Sequence, residues 1–240
     1  MIDTVQQNHE IAAVIVSLVS AYSQIKGIRL AEYDAPPTLE RRVVLDEQDK
    51  DRVGDALKLR SAVPGLAFWD AIMLSMVRYG PRHRLLEAAL FHTVPIRYIE
   101  LSREEVADGA ITTALKALPE GRGLGMNSTI RLIDGVLASI PMLDIHCKVS
   151  EIADGLVAAV CKRLLNCRWL MFDSGDSYHC YGLALLTQAQ TSELQTRALF
   201  FTPIVDKNWL AHQALAGSSS LRLGIAPGKP RVPRLRVVVD

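Results

Sequence analysis

Three short stretches in the second half of the chain hold residue types that could do chemistry together. The first is Met142-Leu-Asp144-Ile-His146. In a strand, Asp144 and His146 emerge on one face and Leu143 and Ile145 on the other, so a carboxylate and an imidazole could share one divalent metal. Asp144 could equally end the strand and turn the chain toward a helix opening near Ser150. The second stretch is Asp173-Ser-Gly-Asp-Ser-Tyr-His179-Cys-Tyr181, between two apolar runs. A plain hairpin needs only Ser-Gly-Asp. The added Tyr-His sets His179 beside hydroxyls and free amides, where Ser174, Ser177 and backbone N–H groups could hold a phosphate. The ordinary alternative is a satisfied core histidine. The third stretch is Pro203-Ile-Val-Asp206, followed by Trp209, His212, Ser218-Ser-Ser-Leu-Arg222 and Lys229. Asp206 is placed to cap a helix over 207–216. Arg222, within an apolar strand, needs a buried carboxylate or a ligand phosphate as its partner.

The elements that must position these residues read as follows. Ile11, Val14, Ile15, Leu18, Val19 and Tyr22 fall at helical spacing, with Gly27 ending that first helix. A loop is expected at 34–37 and a solvated connection or edge hairpin over the charged segment 40–52. Helical patterning resumes through 55–59, 66–77 and 83–91, so residues 1–93 read as a helical N-terminal region. Within it, Phe68-Trp69-Asp70 with Ile72, Met73 and Met76 reads as core. From residue 94 the texture changes: a strand over 94–101, a capping-box start at Ser102 to a helix over 103–117, and a loop over 121–125. Asp134-Gly135 between apolar runs signals a hairpin. A helix over 150–165, strands over 168–172 and 178–186, helices over 188–199 and 207–217, and strands over 220–225 and 235–239 follow. The expected fold class is α+β: a helical N-terminal half, then a mixed or antiparallel sheet over 94–240 with helices on one face. The two parts are expected to form one unit.

Charge and composition bound the partners. The chain has 27 Lys and Arg against 26 Asp and Glu, a net charge of +1, so any site for a polyanion must be local. Residues 1–125 hold 15 basic and 17 acidic side chains, and residues 126–240 hold 12 and 9, which puts the positive excess on the half with the three stretches. Arg222, Lys229, Arg231, Arg234 and Arg236 crowd the C-terminal end against Asp240 alone. No secretory signal is read at the N-terminus, and the apolar run 11–19 is about half a membrane span. Four cysteines without CxxC spacing suit reduced thiols; a cytoplasmic protein without a membrane partner is expected. No P-loop, Rossmann glycine motif, HExxH or GxSxG is present.

Asp-x-polar at a strand end, Ser-x-His about 30 residues later on a hairpin, then a lone Asp followed by Leu-Arg-Leu, together resemble the archaeo-eukaryotic primase (primase-polymerase) superfamily. The passages 140–144, 174–182 and 203–209 carry the resemblance, which covers roughly 128–239 and is closest to small bacterial primase-like domains with a degenerate first motif. It implies an RRM-like sheet with template across its open face. It implies divalent metal (Mn²⁺ or Mg²⁺) and nucleoside triphosphate, with Asp144, Asp206 and His179 as catalytic residues. Asp144, His146 and Asp206 would hold metal, and Ser174, Ser177, His179, Arg222 and Lys229 the nucleotide phosphates. Arg231, Arg234 and Arg236 would contact nucleic acid. The family has a second acidic residue where this chain has His146, a poor ligand for Mg²⁺. Three outcomes stay open: catalysis with Mn²⁺, substitution by Asp173 or Asp176, or a site that binds without reacting. The expected function is therefore nucleic-acid and nucleotide binding with nucleotidyl transfer. The alternative is an inactive primase-fold module that binds nucleic acid or a partner, as in mobile-element, phage-defence or DNA-replication systems. A helicase or nuclease partner, or homo-oligomerisation, would use the N-terminal helices.

Overall fold

Pro141 has no N–H to give a β-ladder, and at this residue the chain leaves one sheet and enters another. A computed structural model of the chain describes residues 2–34, 45–90, 95–202, 204–226 and 228–240. The loop expected at 34–37, residues 40–44 of the charged segment, and Pro203 lie wholly or largely outside them. By contacts the chain divides into two compact units, Met1–Ala35 with Pro95–Asp240, and Pro36–Val94.

The larger unit opens with α1 (Ile2–Ala21) and β1 (Ile25–Asp34). It resumes with β2 (Arg97–Ser102), the short α5 (Arg103–Ala107) and α6 (Ala110–Lys116), then β3 (Arg122–Leu132) and β4 (Leu137–Ser139). Next come β5 (Met142–Ile145), α7 (Glu151–Leu164), β6 (Trp169–Asp173), β7 (Tyr178–Gly182), α8 (Gln188–Ala198) and α9 (Lys207–Ala216), and finally β8 (Ser220–Arg222) and β9 (Arg234–Val239). One sheet has the order β2-β1-β3-β4, with β8 also pairing with β3; the other has the order β5-β7-β6-β9. Every pairing is antiparallel. The fold is thus α+β with antiparallel pairing, as the strand patterning predicts. The hairpin at Asp134-Gly135 joins β3 to β4, with Gly135 at φ 86°.

Four local expectations change. There are two sheets rather than one. Residues 139–141 stitch them together: Ser139 and Leu186 exchange backbone hydrogen bonds of 2.8 Å, and Gly182 N–H donates to the Pro141 carbonyl at 2.8 Å. Second, residues 25–34 are a strand, and the first helix ends at Ala21 rather than at Gly27. Two register shifts, between Ile25 and Gly27 and between Ile28 and Arg29, break the period-2 alternation that would have marked β1. Third, Arg122 to Gly125, read as a loop, opens β3. Fourth, the helix expected over 103–117 is two helices, parted at Gly109, which has φ 85°.

The β5–β9 sheet is covered on both faces. Leu143, Ile145, Trp169, Met171, Tyr178 and Cys180 share a core with Val157 and Val160 of α7, Leu194 of α8 and Leu210 of α9. On the other face Met142, Leu170, Phe172 and Tyr181 share a core with Ile11, Ile15 and Leu18 of α1, Leu30 of β1 and Met126 of β3. The face on which the resemblance would lay a template is therefore not an open platform. The four cysteines are free thiols.

The unit Pro36–Val94 contains α2 (Glu47–Ala62), α3 (Phe68–Tyr79) and α4 (His83–Leu90). Part of the segment expected to be solvated is the start of α2. Asp46 caps that helix, and its carboxylate accepts from Asp49 N–H at 2.9 Å. Asp49 is fully buried and pairs with Arg82 at 2.9 Å and Arg84 at 3.3 Å. Ala56, Ala71, Ile72, Met76 and Leu85 form its core, with Phe68 and Trp69 against them, while Met73, read as core, is 43% exposed. Among the described residues no helix is long and apolar enough to cross a membrane.

Gly27 lies opposite Ser102, and a Cβ there would sit 2.5 Å from the Leu101 carbonyl oxygen. Gly27→Ala is expected to cost about 1–3 kcal/mol through forced strand separation, measured by urea unfolding. An unchanged midpoint would mean that β1 and β2 part freely.

Candidate functional site

Three separate stretches of chain meet at the end of β5. Asp144 stands opposite His179 in the β5–β7 register, with Oδ1 and Nε2 3.8 Å apart. Residues 204–206 run beside β5: Ile145 bridges Val205, Asp206 N–H donates to the Asp144 carbonyl at 2.9 Å, and His146 N–H donates to Ile204 at 2.7 Å. This short pairing brings Asp206 beside Asp144. Asp206 also caps α9, its Oδ1 accepting from Asn208 N–H at 2.8 Å and Trp209 N–H at 3.0 Å. The two readings of Asp206, cap and site residue, are compatible, since Oδ2 remains outside the cap and lies 3.9 Å from His146 Nδ1.

Burial, with the neighbouring charges, sets the protonation states of Asp144 and His179. Burial, then the neighbouring Asp206 charge, raises the Asp144 carboxyl to about 7, against the pull of Lys229 and Arg222. A quarter of its side chain still reaches solvent. His179 moves the other way. Burial, with Arg222 and Lys229 nearby, lowers it to about 3, so the imidazole is neutral. Its Nδ1 is buried without a hydrogen-bond partner, and so is the hydroxyl of Tyr181, two residues along on the same face. The sequence put Tyr181 on that face without giving it a role; its period-2 spacing from His179 was the available signal.

The β6–β7 turn is held from within and from behind. Ser174 Oγ donates to the Ser177 carbonyl at 3.0 Å, and the two hydroxyls are 3.2 Å apart. Asp173 accepts from Gly175 N–H at 2.7 Å. Among the described residues Arg222 does not pair with a carboxylate. Its guanidinium donates to the Ser174 carbonyl at 2.7 Å, the Arg231 carbonyl at 2.6 Å and the Gly224 carbonyl. Arg231 donates to Gly175 at 2.9 Å. Lys229 Nζ lies 3.6 Å from Asp176, and both side chains are more than half exposed. The serines at 218–220 of the third stretch serve the scaffold. Ser218 and Ser220 each accept from the buried Asn127 amide at 3.0 Å, and Ser219 N–H donates to Ser128.

Not every basic residue of the C-terminal end joins this group. Arg236 pairs with Asp154 at 2.6 Å, where Tyr178 also donates at 2.7 Å. Arg234 is opposite Asp173, whose neighbours at alternate positions, Met171 and Trp169, face α7. Both arginines thus lie on the side of the sheet away from Asp144.

A family model described as archaeo-eukaryotic primase 1D-like matches residues 102–232, just over half of the chain. The chain belongs to this primase-like family. The match spans every residue of the site from Asp144 to Arg231 and leaves out β1, the Pro36–Val94 unit and β9. No curated protein and no solved structure matches the chain.

Divalent metal, which the family implies, does not fit the donors as a catalytic ion pair. Among the described residues no three His, Cys, Asp or Glu side chains come together as a metal-binding group. One Asp206 oxygen is committed to the helix cap, and His146 stands where a second motif carboxylate would.

Asp144 and His179 impose opposite pH dependences. The folded carboxyl holds its proton above the unfolded value of 3.8, so its contribution is present in acid and is lost as pH rises through about 7. The folded imidazole resists its proton, so its contribution is lost as pH falls from 6.5 toward 3. Asp144→Asn is expected to be more stable than the parent at pH 8, by up to about 4 kcal/mol, with the gap narrowing to roughly 1.5–2 kcal/mol at pH 5. Thermal unfolding at both pH values checks this, and identical pH dependence would refute the raised carboxyl. Arg222→Lys, which cannot reach three carbonyls in a planar fork, is expected to cost about 1.5–3 kcal/mol and to speed amide exchange across the 174–177 turn.

Proposed function

We propose that the protein binds nucleotide and nucleic-acid phosphates where the Asp144–His179–Asp206 group meets the 174–177 turn, Lys229 and Arg231. The observation that carries this reading is the convergence of those three residues from separate stretches of chain, within the segment that matches the primase-like family. Lys229 supports it as a half-exposed ammonium only loosely held by Asp176. So does His179, whose neutral ring sets Nε2 3.8 Å from Asp144 without adding negative charge. A phosphate group entering here would meet lysine N–H donors and the remaining capacity of the turn.

Nucleotidyl transfer is the second reading, favoured by one observation, the closeness of Asp144 and Asp206. Neither Asp173 nor Asp176 is an evident substitute for the missing motif carboxylate. The first closes its own turn and the second pairs with Lys229. Arg231 is the basic residue of the C-terminal end best placed for nucleic acid, being attached to the turn itself.

Lys229→Ala is expected to weaken binding of labelled single-stranded DNA about evenly across sequences and to flatten the salt slope by about one unit. Fluorescence anisotropy at several salt concentrations reads both, alongside nucleoside triphosphate binding by calorimetry. A parent protein that binds neither ligand, with Mn²⁺ or with chelator, overturns the proposal. Primer synthesis with Mn²⁺ that is lost in Asp144→Ala would establish the second reading.

A further inference from the structure

We infer that the site holds its ligand's phosphates with protein cations alone, without a divalent ion, and that an imidazole rather than a carboxylate at position 146 sets this. The inference rests on the phosphate-binding reading above. Three carboxylates, Asp144, Asp176 and Asp206, and three cations, Arg222, Lys229 and Arg231, lie around the site: Lys229 stands 3.6 Å from Asp176 and acts with Arg222 on Asp144, while Arg222 and Arg231 are bound to carbonyls of the 174–177 turn. A pair of divalent ions needs an excess of hard, anionic oxygens. Here that excess is absent. Of the two motif carboxylates, Asp206 spends Oδ1 on two backbone N–H groups, and Asp144 and Asp206 each face an imidazole at 3.8–3.9 Å. The cations that act on Asp144 are the same two, Lys229 and Arg222, that act on His179, so both side chains lie in their field. An incoming phosphate is therefore met by positive charge that belongs to the protein.

His146 is the position at which this balance can be reversed. Its side chain is 72% exposed, so a change there leaves the core intact, and its ring points at the Asp206 oxygen left outside the helix cap. His146→Asp would put a third carboxylate beside Asp144 and Asp206. His146→Asn alters shape without adding charge.

The test measures two probes on the full chain. Mn²⁺ alone is titrated by electron paramagnetic resonance, and inorganic triphosphate is titrated by calorimetry in chelator and in Mn²⁺. The parent and His146→Asn are expected to bind triphosphate with affinities within about twofold in the two buffers and to leave Mn²⁺ free. His146→Asp is expected to bind Mn²⁺ at least about tenfold more tightly than the parent, and to bind triphosphate better in Mn²⁺ than in chelator. Parent protein that needs Mn²⁺ for triphosphate, or binds Mn²⁺ as tightly as His146→Asp, overturns the inference and leaves the phosphate-binding reading standing. Parent protein that binds triphosphate in neither buffer overturns both.

Discussion

The guanidinium of Arg222 is the joint on which the site is built. It sits on β8, which pairs with β3 in the first sheet, and it donates to the Ser174 carbonyl at the turn between β6 and β7 of the second. Its remaining bonds reach Gly224 and Arg231 in the connection toward β9. One planar fork therefore ties two sheets and a loop. A half-buried charge usually seeks a carboxylate, but three carbonyl dipoles satisfy its donors while leaving its full positive charge in place. That charge then acts on Asp144, His179 and Tyr181 at once.

The electrostatic character of the site follows from that joint. A neutral imidazole and a carboxyl near half-ionisation at neutral pH make a low-charge interior, and the exposed ammonium of Lys229 lies at its rim. Burial is the largest influence on both Asp144 and His179, and Arg222 with Lys229 lowers both groups, favouring an ionised Asp144 and a neutral His179. Two-ion chemistry would call for the opposite: strongly anionic ligands whose charge the metals neutralise.

Much of this architecture was legible in the sequence because its signals are local. Asp134-Gly135 fixes a hairpin, Ser102 with Glu105 opens a helix, and Asp144, His179 and Asp206 stand at the strand ends and turns where they were read. What was not legible depends on tertiary pairing. The bulges of β1 hide its alternation, and its partners lie about 70 and 100 residues downstream. Asp49 and Arg52 look like solvated charges in sequence, yet both are buried, because Arg82, Arg84 and the carbonyls of Tyr79 and Gly80 lie at the far end of the helical unit. Arg222 was recognised as needing a partner, but carbonyl groups leave no mark in a residue list. Likewise nothing in the sequence tells that Ser218 and Ser220 accept from the buried Asn127 amide, about 90 residues upstream, or that the Ser219 N–H donates to the Ser128 hydroxyl.

The pairing of β1 with β2 has a topological consequence. The chain leaves the first sheet at Asp34 and returns at Arg97, and Glu32 and Arg97 are direct partners across the two strands. The ends of the intervening segment are therefore held roughly one strand spacing apart, about 4.8 Å. To the host sheet, everything between them is equivalent to the loop of a β-hairpin. Such a junction is a natural graft point: a whole module can be inserted or exchanged there while the β1–β2 ladder keeps its register.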